Sequence, residues 1–448
     1  MATKKDLIEA QGFSRRRLLS AFTGGAPGGK ELDPAKPLRA VVAGVALTAG
    51  VILVGVFSGI MQPGLPQDWQ NNRLIIATDT GARYVSFEGT LYPVINTSSA
   101  RLLIPADEFK VVKTDEGALA DIPVGASIGI LGAPDDLPSP DALLNTAWTA
   151  CVDDAEGTAV SISDNPIASP STGSGVVVRR DDELFVVSGG LRFAVSPDDA
   201  NAVLRAVGLG TSDIIDVDGR WLNLFQPGEE LAPITVSGFG ASIPGTDLTA
   251  GSIVHVQGSA ADERYVALSS GELAQLSPLA YQLYLLGSGA DAGPEEEVSP
   301  AELAKLPTAA NAGGADWPQQ PLEILPSGQT PCAVLSDDAV TVLGSTATEL
   351  PEERKDVQVS VGGGALVQLG DGGDGAVSTA VLIDESGTAY SIPGAGTGAE
   401  DSDDSIRRLG YSATDVGRAS NEWIQFFAAG PALTAEAAGM SPEEGSAE

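Results

Sequence analysis

Few residues in this 448-residue chain have the types and spacing that chemistry needs. Gly24-Gly25-Ala26-Pro27-Gly28-Gly29-Lys30-Glu31 nearly spells GxxxxGK[ST], the loop whose backbone N–H groups and lysine cradle phosphates. Glu31 stands where a hydroxyl would reach Mg²⁺, so a carboxylate occupies the place where phosphate charge accumulates. No hydrophobic strand precedes the loop, and Pro34 breaks a long helix after it. ATP binding here is weakly encoded, and a flexible linker is the simpler reading.

Gly125-Ala126-Ser127-Ile128-Gly129 matches the GxSxG nucleophile elbow, which requires a strand, a sharp turn and a helix. Ile128–Leu131 instead continues as strand, and the one histidine, His255, sits in the alternating run Ile253–Val256. The acidic stretches Asp371-Gly372-Gly373-Asp374 and Asp401-Ser402-Asp403-Asp404 lack EF-hand spacing and read as solvated loops. A single histidine excludes a His-cluster zinc site, and Cys151 and Cys332 form no CxxC pair. No catalytic residue, cofactor or metal is expected.

Composition narrows the classes further. The formal net charge is −35, which argues against nucleic-acid binding, since phosphate recognition needs clustered Lys and Arg. The charge is uneven. Residues 1–39 carry eight basic and four acidic residues; the remainder carries 17 basic and 56 acidic, a net of −39. Between them Ala40–Met61 runs for 22 residues without a charge, long enough as a helix to cover a hydrocarbon core of roughly 30 Å. Thirty-nine residues precede this run and no small-residue cleavage site follows it, which favours an anchor over a cleaved signal. Ser14-Arg15-Arg16-Arg17-Leu18-Leu19 imitates a twin-arginine signal, but the stretch that follows, which includes the seventeen mostly polar or small residues AFTGGAPGGKELDPAKP, delays the apolar run.

The positive-inside rule keeps the basic arm cytoplasmic and places residues 62–448 outside, so the chain is expected in the cytoplasmic (inner) membrane. Gly55 and Gly59 form a GxxxG that would let helices approach closely in lipid; glycine is also simply common in such helices. Lys4–Phe22 reads as an amphipathic helix, with Arg15, Arg16, Arg17 and Leu18 as candidate docking residues for a cytoplasmic partner or anionic lipid. Two lone cysteines in a compartment that permits disulfides most simply pair with each other, which predicts Cys151–Cys332.

The outer region repeats itself. Residues 204–231 and 406–433 align without a gap at an offset of 202, matching Arg205/Arg407, Gly208/Gly410, Asp213/Asp415, Trp221/Trp423, Phe225/Phe427 and Leu231/Leu433. Hairpin patterns precede both copies, and two weaker copies lie near Leu74–Tyr84 and Gly271–Leu276. The reading is α+β. One N-terminal transmembrane helix leads to an extracytoplasmic domain of four small hairpin-plus-helix repeats around a β-rich core with one disulfide. The repeats are expected near 69–118, 179–236, 263–311 and 377–437, with core at 119–178, 237–262 and 312–376. The helices are expected to start at Ser98, Pro197, Pro278 and Ser405. Units this small must lean on neighbours to bury their apolar faces.

The opening Ala2-Thr3-Lys4-Lys5-Asp6-Leu7, then Phe13 and Arg15–Leu19, one span, and the tract Leu91-Tyr92-Pro93-Val94-Ile95-Asn96-Thr97-Ser98-Ser99-Ala100-Arg101-Leu102 together resemble the EccB family. That family supplies single-pass core components of the actinobacterial type VII (ESX) secretion system. The resemblance covers essentially the whole chain, and Leu91–Leu102 is its most specific part. It implies a structural subunit scaffolding protein export, with an EccC-like motor ATPase, EccD-like and EccE-like membrane subunits and other copies of the chain as partners. It also carries an ATPase label that the incomplete Gly24–Glu31 motif does not support. A membrane-anchored hydrolase and a cell-wall-binding repeat module are the alternatives.

Overall fold

The computed structural model describes residues 4–24, 38–60, 65–153, 157–337, 339–348, 357–370, 379–393 and 405–442. It divides into two units, Met1–Gly64 and Leu65–Glu448. The described residues of the first form two helices, Lys4–Gly24 and Leu38–Ile60. Leu38–Ile60 is built of Ala, Val, Leu and Gly and has no charge after Arg39. Among the described residues no helix is long and apolar enough to cross a membrane. In this helix the uncharged side chains are described only from Ala40 to Val54, fewer than the ~20 residues a bilayer requires.

The described residues of the second unit form five sheets, four of which share one connectivity. Three antiparallel strands form a meander, a helix follows, and a further strand returns parallel to the first. In the first sheet Arg73–Ala77, Arg83–Phe87 and Thr90–Pro93 lead through helix Thr97–Leu103 to Lys110–Thr114, which pairs in parallel with Arg73–Ala77. In the second, Ser174–Arg180, Glu183–Ser188 and Leu191–Val195 lead through Ala200–Ala206 to Ile214–Asp216. In the third, Ile253–Val256, Arg264–Ala267 and Leu273–Leu276 lead through Pro278–Leu286 to Glu296–Val298. In the fourth, Ala365–Leu369, Ala380–Ile383 and Thr388–Ile392 lead through Ser405–Leu409 to Gly417–Ala419. A parallel return requires a crossover, and the helix supplies it while covering one face of its sheet.

The second, third and fourth sheets therefore begin one strand earlier than the hairpins expected from sequence. Ser174–Arg180, of which the sequence reading gave residues 174–178 to an intervening core, and Ile253–Val256 and Ala365–Leu369, given to it whole, are the first strands of these sheets. Their apolar residues are buried, so they look like core strands; sheet partners decide their membership, and those lie downstream. Two helix starts also move. The second helix begins at Ala200 rather than Pro197, and the first at Thr97, capped by Asn96.

The fifth sheet is central. Its order is Val357–Val359, Gly157–Ile162, Thr149–Asp153, Thr330–Leu335, Thr341–Thr346 and Ser169–Pro170. Its strands come from segments on either side of the second and third sheets in sequence. Cys151 and Cys332 lie directly opposite on its two middle antiparallel strands and are joined by a disulfide. Both are fully buried.

The duplicated segments clamp this sheet. Trp221 and Trp423 are each fully buried on short helices, Gly219–Asn223 and Asn421–Ile424, whose preceding residues Asp218 and Ser420 hold matching extended N-cap conformations. Gly208 and Gly410 both adopt positive φ, at 92° and 102°, where a Cβ would be strained. Downstream, Gly228 and Gly430 donate to Arg192 and Ala389, and Leu231 and Leu433 donate to Ala194 and Ser391. Donors at the 202-residue offset thus meet acceptors at an offset of 197, in matching backbone hydrogen bonds. One hydrophobic core joins Trp148, Trp221, Phe225, Trp423 and Phe427 to the apolar face of the central sheet.

Candidate functional site

The tract Leu91–Leu102 turns out to be a joint. Its strand half, Thr90–Pro93, accepts a neighbouring extended segment: Leu91 N–H donates to Pro123 O, Gly125 N–H to Leu91 O, and Ile128 N–H to Pro93 O. This segment contains the GxSxG match. A Cβ on Gly125 would come within 2.5 Å of the Tyr92 ring, and one on Gly129 within 2.6 Å of Ile95, with φ of +133° at Gly129. Those glycines are explained by close packing. No helix follows, as an elbow would need.

The helical half is held by buried polar groups. Asn96 caps Thr97–Leu103 by accepting from Ser99 N–H at 2.9 Å, and its amide donates to Ile130 O at 2.7 Å. Ser99 Oγ accepts from Ile130 N–H at 2.9 Å, and Ser98 Oγ donates to Pro134 O. Asp135 receives Thr97 N–H at 2.9 Å and Arg83 Nη1 at 2.5 Å. Partial burial works against the ionised Asp135 carboxylate, but the hydrogen bonds from Arg83 and Thr97 outweigh it and hold its pKa below the ordinary value.

At its other end this helix meets the fourth sheet's region. Thr97–Leu103 packs against Ser405–Leu409 and Ala435–Ala438. Arg408 donates to Leu102 O at 2.6 Å, satisfying a helix C-terminal carbonyl. Arg101 lies 4.6 Å from the centre of the Phe109 ring; burial lowers its pKa, and Tyr411 opposes that shift. Tyr411 is buried and donates to Pro138 O at 2.8 Å, and burial pushes its hydroxyl pKa upward. Leu102 and Arg408, 306 residues apart in sequence, thereby fasten the first sheet to the fourth.

The remaining candidates are scattered. His255 Nδ1 pairs with Glu263 O at 3.0 Å in the third sheet, whereas Ser127 is exposed beside the first, so no Ser/His pair is assembled. Gly24 ends the first helix, and residues 25–31, including Lys30, lie outside the described residues, as do Asp371–Asp374 and Asp401–Asp404. Arg15, Arg16, Arg17 and Leu18 are exposed on the first helix, and Leu7, Ile8, Leu19 and Phe22 are exposed with them. Gly55 and Gly59 lie in the second helix. Among the described residues no group of three or more His, Cys, Asp or Glu could hold a metal ion. The roles of Asn96, Asp135 and Arg408 were not read from sequence. Asn before Thr-Ser-Ser is a legible N-cap signal; the partners of Asp135 and Arg408 are far along the chain and leave no local signal.

The described residues thus form an apolar helix followed in sequence by four meander–helix sheets, the first and fourth fastened to each other by the Leu91–Leu102 tract. The family model "Type VII secretion system ESX-1, transport TM domain B" matches residues 1–444, and the chain belongs to this EccB family. The chain is 26% identical over 318 residues to "ESX-5 secretion system ATPase EccB5" of Mycobacterium tuberculosis, covering 66% of this chain and 61% of that protein. It is 28% identical over 357 residues to "ESX-3 secretion system ATPase EccB3" of Mycolicibacterium smegmatis, covering 75% and 65%. It thus spans about three-fifths of the length of the first of these relatives. Its fold resembles a chain of an intact ESX-5 inner membrane complex, with a TM-score of 0.62 at 21% identity, covering 98% of this chain and 95% of that one. It also resembles the EccB3 dimer from the ESX-3 core complex, with a TM-score of 0.63 at 22% identity, covering 82% and 99%.

Proposed function

We propose that this chain is a structural subunit of a type VII secretion inner-membrane complex. The observation that carries the reading is the family match over residues 1–444, which takes in the basic arm, the apolar helix and the sheet-built unit alike. In this reading Leu38–Ile60 spans the cytoplasmic membrane, the basic arm is inside and Leu65–Glu448 is outside. The 22 uncharged residues Ala40–Met61 and the arm's net charge of +4 support that topology. The exposed Arg15–Leu18 face docks a cytoplasmic partner, and Gly55 and Gly59 pack against a neighbouring helix in lipid. The four meander–helix units act as repeats of one module around the disulfide-bonded central sheet. An EccC-like motor, EccD-like and EccE-like subunits and further copies of this chain are the proposed partners. Inner-membrane and periplasmic assemblies of related chains support association of this kind.

Affinity purification in mild detergent tests the reading. Co-recovery of an FtsK-like motor and multispanning subunits is expected; recovery of the chain alone overturns it. The word "ATPase" in the relatives' names favours a second reading, a hydrolase built on Lys30. ATP hydrolysis that persists without co-purifying motor and vanishes in Lys30→Ala would establish it.

A further inference from the structure

Between the two duplicated segments lies a cavity of about 590 Å³, within the usual size range of small-molecule sites. Its charged lining is Arg192, Arg418 and Glu422, a net of +1 in an outer region whose own net charge is −39. Most arginines in so acidic a domain could find carboxylates, and several do: Arg73, Arg83, Arg179 and Arg264 each form an ion pair. These two do not. Arg192 spends Nη1 on Leu222 O and Asn223 Oδ1, both at 2.7 Å, which fixes the guanidinium while Nε and Nη2 make no hydrogen bond to a described residue. Burial lowers the Arg192 pKa and the nearby charge of Arg180 adds to this, with Glu422 opposing. Its positive charge is thus under-compensated where it stands. Arg418 is exposed, and its side chain has no hydrogen-bond or ion-pair partner among the described residues.

The internal duplication makes the arrangement specific to one side. Arg418 stands where the first copy has Asp216, which is paired with Arg179 at 2.7 Å, and Glu422 stands where it has Arg220. Arg192 matches Ala389, as their carbonyls accept from Gly228 and Gly430 respectively. At these two equivalent positions the second copy exchanges the first copy's charges, with Arg418 for Asp216 and Glu422 for Arg220, and it is the second copy's pair that lines the cavity. Amide side chains of Asn223, Gln226 and Gln425 complete a polar wall, and Pro227 and Val340 an apolar one.

We propose that this cavity binds a singly charged carboxylate flanked by amides, such as the C-terminus of a peptide, between the Arg192 and Arg418 guanidiniums. A planar carboxylate matches the guanidinium fork, which a compact ammonium would not select for. The lining charge of +1 favours a monoanion over a phosphate dianion. The neighbouring side-chain amides satisfy the peptide group that precedes a terminal carboxylate. This site is independent of the assembly reading and of the Leu91–Leu102 joint.

The test uses full-length protein in detergent micelles and titration calorimetry with acetyl-Ala-Ala as the free acid, its C-terminal amide, and inorganic phosphate. The acid is expected to bind, the amide at least about tenfold more weakly, and phosphate more weakly than the acid. Arg418→Gln, at an exposed position, is expected to leave thermal unfolding unchanged and to lower acid affinity by about tenfold. Arg192→Gln is expected to do the same, provided its unfolding midpoint confirms a folded chain. No detectable acid binding, equal binding of acid and amide, tighter binding of phosphate, or unchanged affinity in Arg418→Gln would each overturn the proposal.

Discussion

Trp221 and Trp423, separated by 202 positions, donate their indole N–H groups to the central sheet, the first to Ala150 O and the second to Thr341 Oγ1, both at 2.9 Å. Each is fully buried, and Trp423 lies edge-on to Trp148 at 5.8 Å. A repeated tryptophan is thus used twice as a peg in one sheet. Trp423→Ala and Trp221→Ala are each expected to cost about 3–5 kcal/mol in unfolding free energy. Trp221→Phe, which keeps most of the buried area and loses the hydrogen bond, should cost about 1 kcal/mol. Denaturant titration of the three variants measures these; a loss under 1 kcal/mol for both alanine variants would show that the pegs do not hold the sheet.

The Cys151–Cys332 bond closes a sequence separation of 181 residues. On the chain-entropy model, a loop of that length stabilises the fold by about 5 kcal/mol. Reduction should lower the unfolding midpoint markedly, and Cys151→Ser/Cys332→Ser should reproduce the reduced value. Thiol titration of denatured, non-reduced protein should find no free thiol.

The Leu91–Leu102 joint predicts loss of end-to-end fastening. Asn96→Ala removes a cap and a buried amide donor at once, for about 2–3 kcal/mol. Arg408→Ala leaves Leu102 O without its donor. Both variants should speed proteolysis in the first and last sheets more than in the central one, read by mass-spectrometric mapping of early cuts.

The GxSxG match is resolved by opposite outcomes within one motif. Gly129→Ala places a Cβ against Ile95 at a positive φ and should cost about 1–3 kcal/mol. Ser127→Ala, at an exposed position, should leave stability and complex assembly unchanged. A functional loss in Ser127→Ala with stability intact would restore the nucleophile reading.

Two buried tyrosines set an alkaline limit. Burial, joined by the charge of Asp384, raises the Tyr390 hydroxyl from its ordinary 10 to about 12, and burial raises that of Tyr411 as well. Between pH 10 and 12 the unfolded chain releases the Tyr390 proton and the folded chain keeps it, so stability falls as pH rises. The contribution is whole below pH 10 and lost through pH 12. Tyr390→Phe should flatten this part of the pH–stability curve, measured by thermal melts.

How much was legible depended on whether the signal was local. The duplication at offset 202 was read from Trp, Gly and Asp in register, and the hairpins at Gly189-Gly190 and Ser386-Gly387 from turn chemistry. Ala365–Leu369 reads as β-like from sequence but belongs to the fourth sheet rather than to an intervening core, and Ser174–Arg180 was not singled out as a strand. A short apolar run specifies burial without naming its partner. The cavity at Arg192 and Arg418 had no sequence signal, because its walls come from segments more than 200 residues apart.

The sequence by itself determined the basic arm and uncharged run, the repetition, and the two cysteines as the one available pair. These are matters of composition, periodicity and counting, which each stretch of chain carries alone. Only the tertiary structure decided that Cys151 and Cys332 face each other across two middle strands. It also decided that Trp221 and Trp423 peg the same sheet, and that Asn96 and Arg408 fasten the first sheet to the last. Pairing energies depend on which surfaces meet, and many partners of equal hydrophobicity compete until long-range packing selects one set.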